Sequence, residues 1–465
     1  MATLTTPSPK IFSNLREHAN KATGRVSFEI QGVDLSVVNG IRRTLLTDIP
    51  TVGLIFEKGQ GFLLDKDGYR LFTVEPSMEI EVNTGPLHNE FLLHRLSMIP
   101  IYLSEEEVES YEPNTLMFEI QKTNKTPHTI PLTTHDIVLM KNNEVIPPVT
   151  VKTYLPVNAW SKEPILITRL RPNESMHIYG SFVKSTARAN AGMSPVSLCS
   201  YMPKLDTDKI KQEKIRDVLE RERTFLKNDY GDPIAWTFEV ESENGLSVPY
   251  LVDKALDILV HKVNRAKETL LSDALAVKAM EPAGTFEYAF QDEDDTLGNL
   301  IQGYIHNHYY RTESLIDHRF RLSFVGYCCP HPLETKMNVR LTLRPPSEER
   351  TDITEDSVTE MAVRDFFKQC LDELKHHLIS VRTEWCHFTN RPEPSASSAS
   401  SEPSASSNPP FSYPSSLPSL EEATPPASSE KIKKFEVNIE NTDETNVPPS
   451  VPLKKKNPKR PLKNP

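Results

Sequence analysis

The chain has 465 residues, a formal net charge of -11 at pH 7, 37% hydrophobic residues, and 38 prolines against 16 glycines. That length accommodates two or three cores of ordinary size, while the low apolar fraction and the proline excess predict that part of it stays unfolded. The acidic balance argues against a protein whose main task is coating nucleic acid, because such binding draws on Lys and Arg neutralising phosphates. Five cysteines without C-x-x-C spacing indicate neither a disulfide framework nor a zinc module and favour a reducing compartment. The N-terminus has no apolar signal core and no uncharged apolar run approaches about 18 residues, so a soluble protein is expected, neither secreted nor in a membrane.

In chain order, residues 1–23 read as an N-terminal extension. "GRVSFEIQGVD" alternates like a strand at Val26, Phe28 and Ile30 and runs into a helical pattern. There Leu35, Val38, Ile41, Leu45 and Ile49 share one face, with Asp34 as N-cap and Pro50 as the stop. A short helix is expected over "PLHNEFLLHRLSMIP", with Phe91, Leu92 and Leu96 inward. From Tyr102 to about Ile234 the chain becomes strand-rich and Pro-punctuated, as an inserted β domain would. Helical periodicity returns behind Ser247 and Pro249, where Val252, Leu256, Leu259, Val263, Ala266 and Leu270 make one stripe. A matching stripe runs through Phe367, Leu371, Leu374, Leu378 and Val381, and two such helices pack on each other or on a sheet. From Arg391 onward the Ser/Pro-rich text cannot offset the entropy of ordering it and reads as a disordered tail. Its basic end, Lys454 to Pro465, reads either as a solvated charge run or as an import or anion-binding signal.

A weak internal repeat underlies this order. Asp34, Ser36, Val37, Asn39 and Ile41 align without gaps on Asp294, Thr296, Leu297, Asn299 and Ile301. Each copy follows an alternating strand (Val26 to Ile30; Phe286 to Phe290), and each half closes with a long amphipathic helix.

The chemistry turns on "DEDDTLGNLI". An EF-hand loop from Asp292 requires Gly at its sixth position and Glu at its twelfth, where this chain has Leu297 and Gly303. A magnesium site needs fewer carboxylates, but helix capping and the helix dipole explain acids before a helix more cheaply. In "GYCCPHPLETK", adjacent Cys328 and Cys329 ligate one tetrahedral metal poorly and have no second Cys/His pair at zinc spacing, so a strand end and turn are expected. Arg42 and Arg43 sit on the polar side of the first helix, as a solvated face or as a docking contact for a large partner. No phosphate-loop, dinucleotide, zinc-protease or nucleophile-elbow motif is present.

"VNGIRRTLLTDIPTVGL" with "NTGPLHNEFLLHRLSMIPI" resembles the third-largest subunit of eukaryotic-type RNA polymerases, a relative of the bacterial alpha subunit, and "DEDDTLGNLI" with "FVGYCCPHPLETKMNVRLTL" resembles the eleventh subunit. Both stand here in one polypeptide over roughly residues 24 to 390, similar to the fused assembly subunit of large nucleocytoplasmic DNA viruses. The resemblance implies an α+β fold with two alpha-subunit-like dimerisation modules paired within one chain. The first module (24–101 and 235–275) is interrupted by the β insertion (102–234). A linker (276–284) leads to the second module (285–390), and the tail is 391–465. Pairing would use Leu35, Val38, Leu45, Val252, Leu259, Val263, Leu297, Leu300, Phe367, Leu371, Leu374 and Leu378. It further implies a non-catalytic platform with Arg42, Arg43, His94 and Arg95 as subunit-docking residues. Its partners would be the second-largest and largest polymerase subunits and small platform subunits, with DNA reached only through the complex.

The family's zinc loop would follow "SMIPI", but no cysteine stands from Ile101 to Val196, so no zinc is expected, with "YLSEEEVESYEPNTL" in the loop's place. The viral resemblance implies the host cytoplasm or a virion, and the Lys454–Arg460 run the nucleus as the alternative. Two functions of other classes remain: a divalent-metal enzyme using Asp292, Asp294 and Asp295, and an adaptor acting through the tail.

Overall fold

The computed structural model describes residues 10–17, 24–56, 61–64, 70–74, 77–112, 114–142, 144–157, 161–312, 315–316, 320–331, 334–345 and 358–392. The chain divides into units 1–400 and 401–465. The second unit, with most of the Ser/Pro-rich tail and the Lys454–Arg460 run, lies outside the described residues.

From the N-terminus, β1 (Phe12–Glu17) and β2 (Arg25–Gln31) lead to α1 (Leu35–Thr47) and β3 (Pro50–Gly53). A hairpin of β4 (Gly61–Leu64) and β5 (Arg70–Val74) precedes β6 (Met78–Asn83), α2 (Asn89–Ser97) and α3 (Glu105–Glu109). The insertion continues through β7 (Leu116–Thr123), β8 (Ile130–Thr133), β9 (Val138–Lys141), β10 (Glu144–Val145), α4 (Pro148–Tyr154), β11 (Leu166–Leu170), β12 (Ser175–Ser181) and β13 (Val183–Thr186). Then follow β14 (Val196–Pro203), α5 (Thr207–Gln212), α6 (Val218–Arg223), β15 (Ala235–Ser242) and α7 (Val248–Leu271). The last part is β16 (Ala276–Met280), β17 (Thr285–Gln291), α8 (Asp295–Ile305), β18 (Leu315–Ile316), β19 (Phe320–Cys328), β20 (Lys336–Arg344) and α9 (Glu360–Thr389).

Alternation builds each module's sheet. Val26, Phe28 and Ile30 of β2 and Trp236, Phe238 and Val240 of β15 are buried on one face of the antiparallel order β1-β2-β15-β14. In the second module Tyr288 and Phe290 of β17 are buried against Phe367 of α9, in the order β16-β17-β20-β19-β18.

The two long helices join these sheets. Ser247 caps α7 by accepting from the Tyr250 amide, with Pro249 in its first turn; Thr359 caps α9 by accepting from the Ala362 amide, and Asn390 ends it in the left-handed region that Asn tolerates. The stripe of Val252, Leu256, Leu259, Val263, Ala266 and Leu270 is buried, as is that of Phe367, Leu371, Leu374, Leu378 and Val381. The helices run antiparallel side by side. Lys267 Nζ meets Asp372 at 2.6 Å, Lys375 Nζ donates to Asn264 Oδ1 at 2.7 Å, and Trp385 Nε1 donates to the Pro249 carbonyl at 2.9 Å. Arg382 reaches Asp253 at 2.7 Å and also pairs with Asp257.

Several boundaries differ from the sequence expectations. The N-terminal extension is partly structural: Phe12 is buried edge-on against Trp385 at 4.9 Å, so β1 closes the first sheet over α9. The inserted sheet, β10-β9-β7-β12-β6, recruits β6 from before residue 102, whereas β14 returns to the module sheet before residue 234, because strand pairing rather than composition sets the limits. Residues 276–280 of the expected linker form β16, the edge strand of the second sheet. Arg391, assigned to the tail, belongs to the fold, donating to Glu105 at 3.0 Å over the Tyr250 ring.

Two inward assignments also fail. Leu35 is 48% exposed, because it opens α1 and the buried face starts at Ser36 and Val37. Phe91 is 68% exposed, since α2 has only nine residues and buries Leu92, Leu96 and Ser97 alone.

Truncating a fully buried stripe residue removes its transfer energy and leaves a cavity. Leu374→Ala should therefore lower the unfolding free energy by about 2–5 kcal/mol in urea titration, whereas Leu35→Ala should stay within about 0.5 kcal/mol.

Candidate functional site

Charged side chains from both modules and from the loop after β13 converge at the crossing of α1 and α8. Both helices are buried on broad faces: Ser36, Val37, Val38, Gly40, Ile41, Thr44 and Leu45 on α1, and Thr296, Leu297, Gly298, Leu300, Ile301, Tyr304 and Ile305 on α8. They cross antiparallel. Arg43 Nε donates to Thr296 Oγ1 at 2.8 Å, a Cβ built on Gly303 would fall 2.7 Å from Ser36, and Asn307 Nδ2 donates to Asp34 Oδ1 at 3.0 Å.

The acidic run resolves residue by residue. Asp292 takes a positive φ of 58° and accepts from Thr335 Oγ1 at 3.0 Å. Glu293 is 5% exposed and pairs with Arg265 of α7, Nε to Oε1 at 3.0 Å. Asp294 is the N-cap of α8, accepting from the Thr296 amide at 2.9 Å, and also pairs with Arg188 at 2.7 Å and lies 3.9 Å from Arg43. Asp295 lies in the first turn, with the Cys329 thiol 3.5 Å away. The run caps a helix and ties it to α7 and to the loop after β13. Among the described residues no group of three His, Cys, Asp or Glu side chains is arranged to hold a metal ion.

Arg188 links the elements. Its guanidinium bridges Asp48 (Nη2 to Oδ1, 2.8 Å) and Asp294, and its amide donates to the Thr47 carbonyl at 3.0 Å. Lys262 of α7 meets Asp48 at 2.8 Å. Burial works to raise Asp48 and Asp294, but Lys262 and Arg188 outweigh it and hold both carboxyls below the usual range. Glu293 goes the other way, because its burial exceeds the pull of Lys262 and Arg265. At the opposite end of the crossing, Asp34 stands at the N-cap of α1 yet makes no cap bond. Its carboxylate serves Asn307 and His308 Nε2 at 3.6 Å, and this contact raises His308 against the opposing effect of burial. His377 of α9 is lowered by burial.

The other singled-out residues are placed as follows. Val38, Leu45, Val252, Leu259, Val263, Leu297, Leu300, Phe367, Leu371, Leu374 and Leu378 are all buried, and Leu35 is not. Arg42 is half-buried and donates to Asn39 Oδ1 at 3.0 Å on its own helix. Arg43 is turned into the seam. Arg95 pins α2 to β11 by donating to the carbonyls of Ile167 (3.0 Å) and Leu166 (2.9 Å), and His94 is exposed 5.2 Å from the Phe56 ring. Cys328 is exposed at the end of β19 and Cys329 half-buried beyond it. The segment "YLSEEEVESYEPNTL" contains α3, which opens with a capping box of Ser104 and Glu107 and whose Glu109 accepts from Tyr250 of α7 at 2.7 Å.

Residues 27–139 and 285–382 each match the RNA polymerase Rpb3/Rpb11 dimerisation domain. Both modules are Rpb3/Rpb11-type domains. The DNA-directed RNA polymerases I and III subunit rpac1 of Dictyostelium discoideum is 25% identical over 312 residues, 55% of this chain and 80% of that protein. The human DNA-directed RNA polymerases I and III subunit RPAC1 is 26% identical over 196 residues, 38% of this chain and 50% of that protein. The DNA-directed RNA polymerases II, IV and V subunit 3 of Arabidopsis thaliana is 25% identical over 211 residues, 42% of this chain and 58% of that protein. The match thus spans about half the length of the human and Arabidopsis relatives, and the chain is homologous to alpha-type polymerase subunits.

Sequence reading missed Arg188, Lys262, Arg265 and His308. None lies in a motif, and only the positions opposite the aligned acids, reached by folding, reveal them. Removing one side of a buried ion pair costs about 3–5 kcal/mol; Arg188 keeps 35% of its side chain in solvent, so Arg188→Ala should cost about 1–3 kcal/mol in denaturant titration. The pH dependence has two limbs. Asp48 and Asp294 are lowered in the fold, so their contribution is complete above about pH 4 and is lost as pH falls through their folded values. His308 is raised, so its contribution is complete below about pH 6.5 and is lost as pH rises through its folded value. His308→Gln should flatten the stability–pH curve between about pH 6 and 8 and leave the acid limb unchanged.

Proposed function

We propose that this chain is a non-catalytic assembly subunit of a DNA-directed RNA polymerase. It supplies within one polypeptide the alpha-type pair that cellular enzymes build from two chains, as in the polymerases of large nucleocytoplasmic DNA viruses. The observation that carries this reading is the union of two Rpb3/Rpb11-type domains, paired through α7 with α9 and α1 with α8. A tether between the modules raises their effective concentration to the millimolar range, so pairing stays within the chain and light scattering should give the mass of one copy.

The partners of this reading are the second-largest subunit, as the docking target, then the largest and small platform subunits, with DNA contacted through the complex. The docking surface takes in Arg42 on α1 and, on α2, His94 with Phe91 and the neighbouring Met98, both exposed. Arg43 and Arg95 serve this surface indirectly, since their guanidinium groups hold Thr296 and β11. No zinc is part of the reading, because the segment from Ile101 to Val196 offers no thiolate, and elemental analysis should find none. The chain works in the host cytoplasm and virion, with nuclear import through Lys454–Arg460 as the alternative that deletion of that run distinguishes. A metal enzyme built on Asp292, Asp294 and Asp295 is disfavoured by the prior engagement of all three acids.

Affinity purification of the tagged chain from its native source should recover polymerase subunits, and their absence would remove the reading. Arg42→Ala should weaken recovery of the second-largest subunit, at a cost of about 2–5 kcal/mol if the charge is buried on docking, with the thermal midpoint unchanged. Undiminished recovery would take Arg42 out of the interface.

A further inference from the structure

The internal repeat makes α1 and α8 equivalent, yet their crossing is asymmetric at one position. Continued along the helices, the alignment sets Arg43 on Gly303 and Asp48 on His308. Because the helices cross antiparallel, every contact has a mate in which the two modules exchange roles. The mate of Arg43 with Thr296 is Gly303 with Ser36. Arg43 reaches Thr296 with Nε near the end of its side chain, at 2.8 Å, whereas at the mate a Cβ at position 303 would already lie 2.7 Å from both the Cβ and the Oγ of Ser36. Ser36 is a buried side chain on a helix and has no room to withdraw.

We propose that this arginine–glycine complementarity determines which modules pair, selecting a first module with a second and rejecting two first modules. A pair of first modules would place Arg43 opposite Ser36 at both mates, including the one where the helices leave no space for a side chain. It would also set Asp34 against Asp48 at both ends, in place of the Asp34–His308 contact at one of them. Two carboxylates already meet across one end, Asp48 and Asp294, and there Arg188 and Lys262 neutralise them. A pair of second modules would lack Arg43 and Arg188, leaving both copies of Asp294 without a guanidinium. Selection of this kind works by what it excludes as much as by what it attracts. The inference concerns pairing alone and stands whether or not the paired chain docks a polymerase.

A double-mutant cycle in the full-length chain tests it. Gly303→Arg should lower the thermal midpoint and raise the light-scattering mass above one chain, as the seam opens and exposes its apolar face. Arg43→Gly should cause a smaller drop. The exchange of both should return the monomer mass and recover more than half of the midpoint lost by Gly303→Arg. The introduced arginine then faces Ser36 and Asp34 as Arg43 faces Thr296 and Asp294, and the vacated position provides the room. An exchange no better than the sum of the single losses would overturn the proposal. Should Gly303→Arg fail to fold, Gly303→Ala with and without Arg43→Gly carries the same comparison: rescue supports the complementarity, and additive loss refutes it.

Discussion

The described fold depends on burying the stripes of α7 and α9. Each stripe is too apolar to face water: Phe367 of α9 packs on Tyr288 and Phe290, Leu259 of α7 lies against Gly40 of α1, and the two helices close on each other between them. A fully buried Leu, Val or Phe contributes about 1.5–3 kcal/mol relative to exposure, and the two stripes together place ten such side chains out of solvent. The antiparallel alignment also lets Arg382 sit between Asp253 and Asp257 and Lys267 beside Asp372, so the polar edges of the seam agree with its apolar centre. That agreement fixes one register. From it follow the crossing of α1 and α8 and the position of the acidic run.

The acidic run shows how an ionic arrangement that invites a catalytic reading is absorbed by folding. Asp294 does three things at once: it caps α8, accepts Arg188 from the insertion loop, and approaches Arg43 from the other module. Glu293 is buried against Arg265 of α7. The carboxylates therefore connect the first module, the insertion and the second module, and a change in any of these is felt at the helix N-terminus. The insertion is not a pendant. Arg188 comes from the loop after its last strand and shares with Lys262 of α7 the neutralisation of Asp48 and Asp294.

Much of this was legible in advance. The strand alternations of Val26 to Ile30 and Phe286 to Phe290, the two stripes, the Ser247 cap and the helix beginning at the DEDD run all follow from periods and capping chemistry that act over a few residues. The weak repeat and the resemblance together pointed to two related modules, as the domain matches show. The failures have a common cause. Leu35 and Phe91 lie where a helix start or a short helix leaves only part of the expected face against the core. Assigning 276–284 to a linker and 1–23 to an extension missed strands at sheet edges, which are short and half exposed and so carry little alternation.

The sequence by itself determined the local elements, the apolar stripes and the equivalence of the two halves, because those depend on side-chain spacing within a single helix or strand. Tertiary structure alone decided which charges meet. Arg188 opposite Asp48 and Asp294, His308 opposite Asp34, and Gly303 against Ser36 each join residues from separate elements, and no local propensity encodes such distances. They arise only once burial of α7 on α9 has set the angle at which α1 crosses α8.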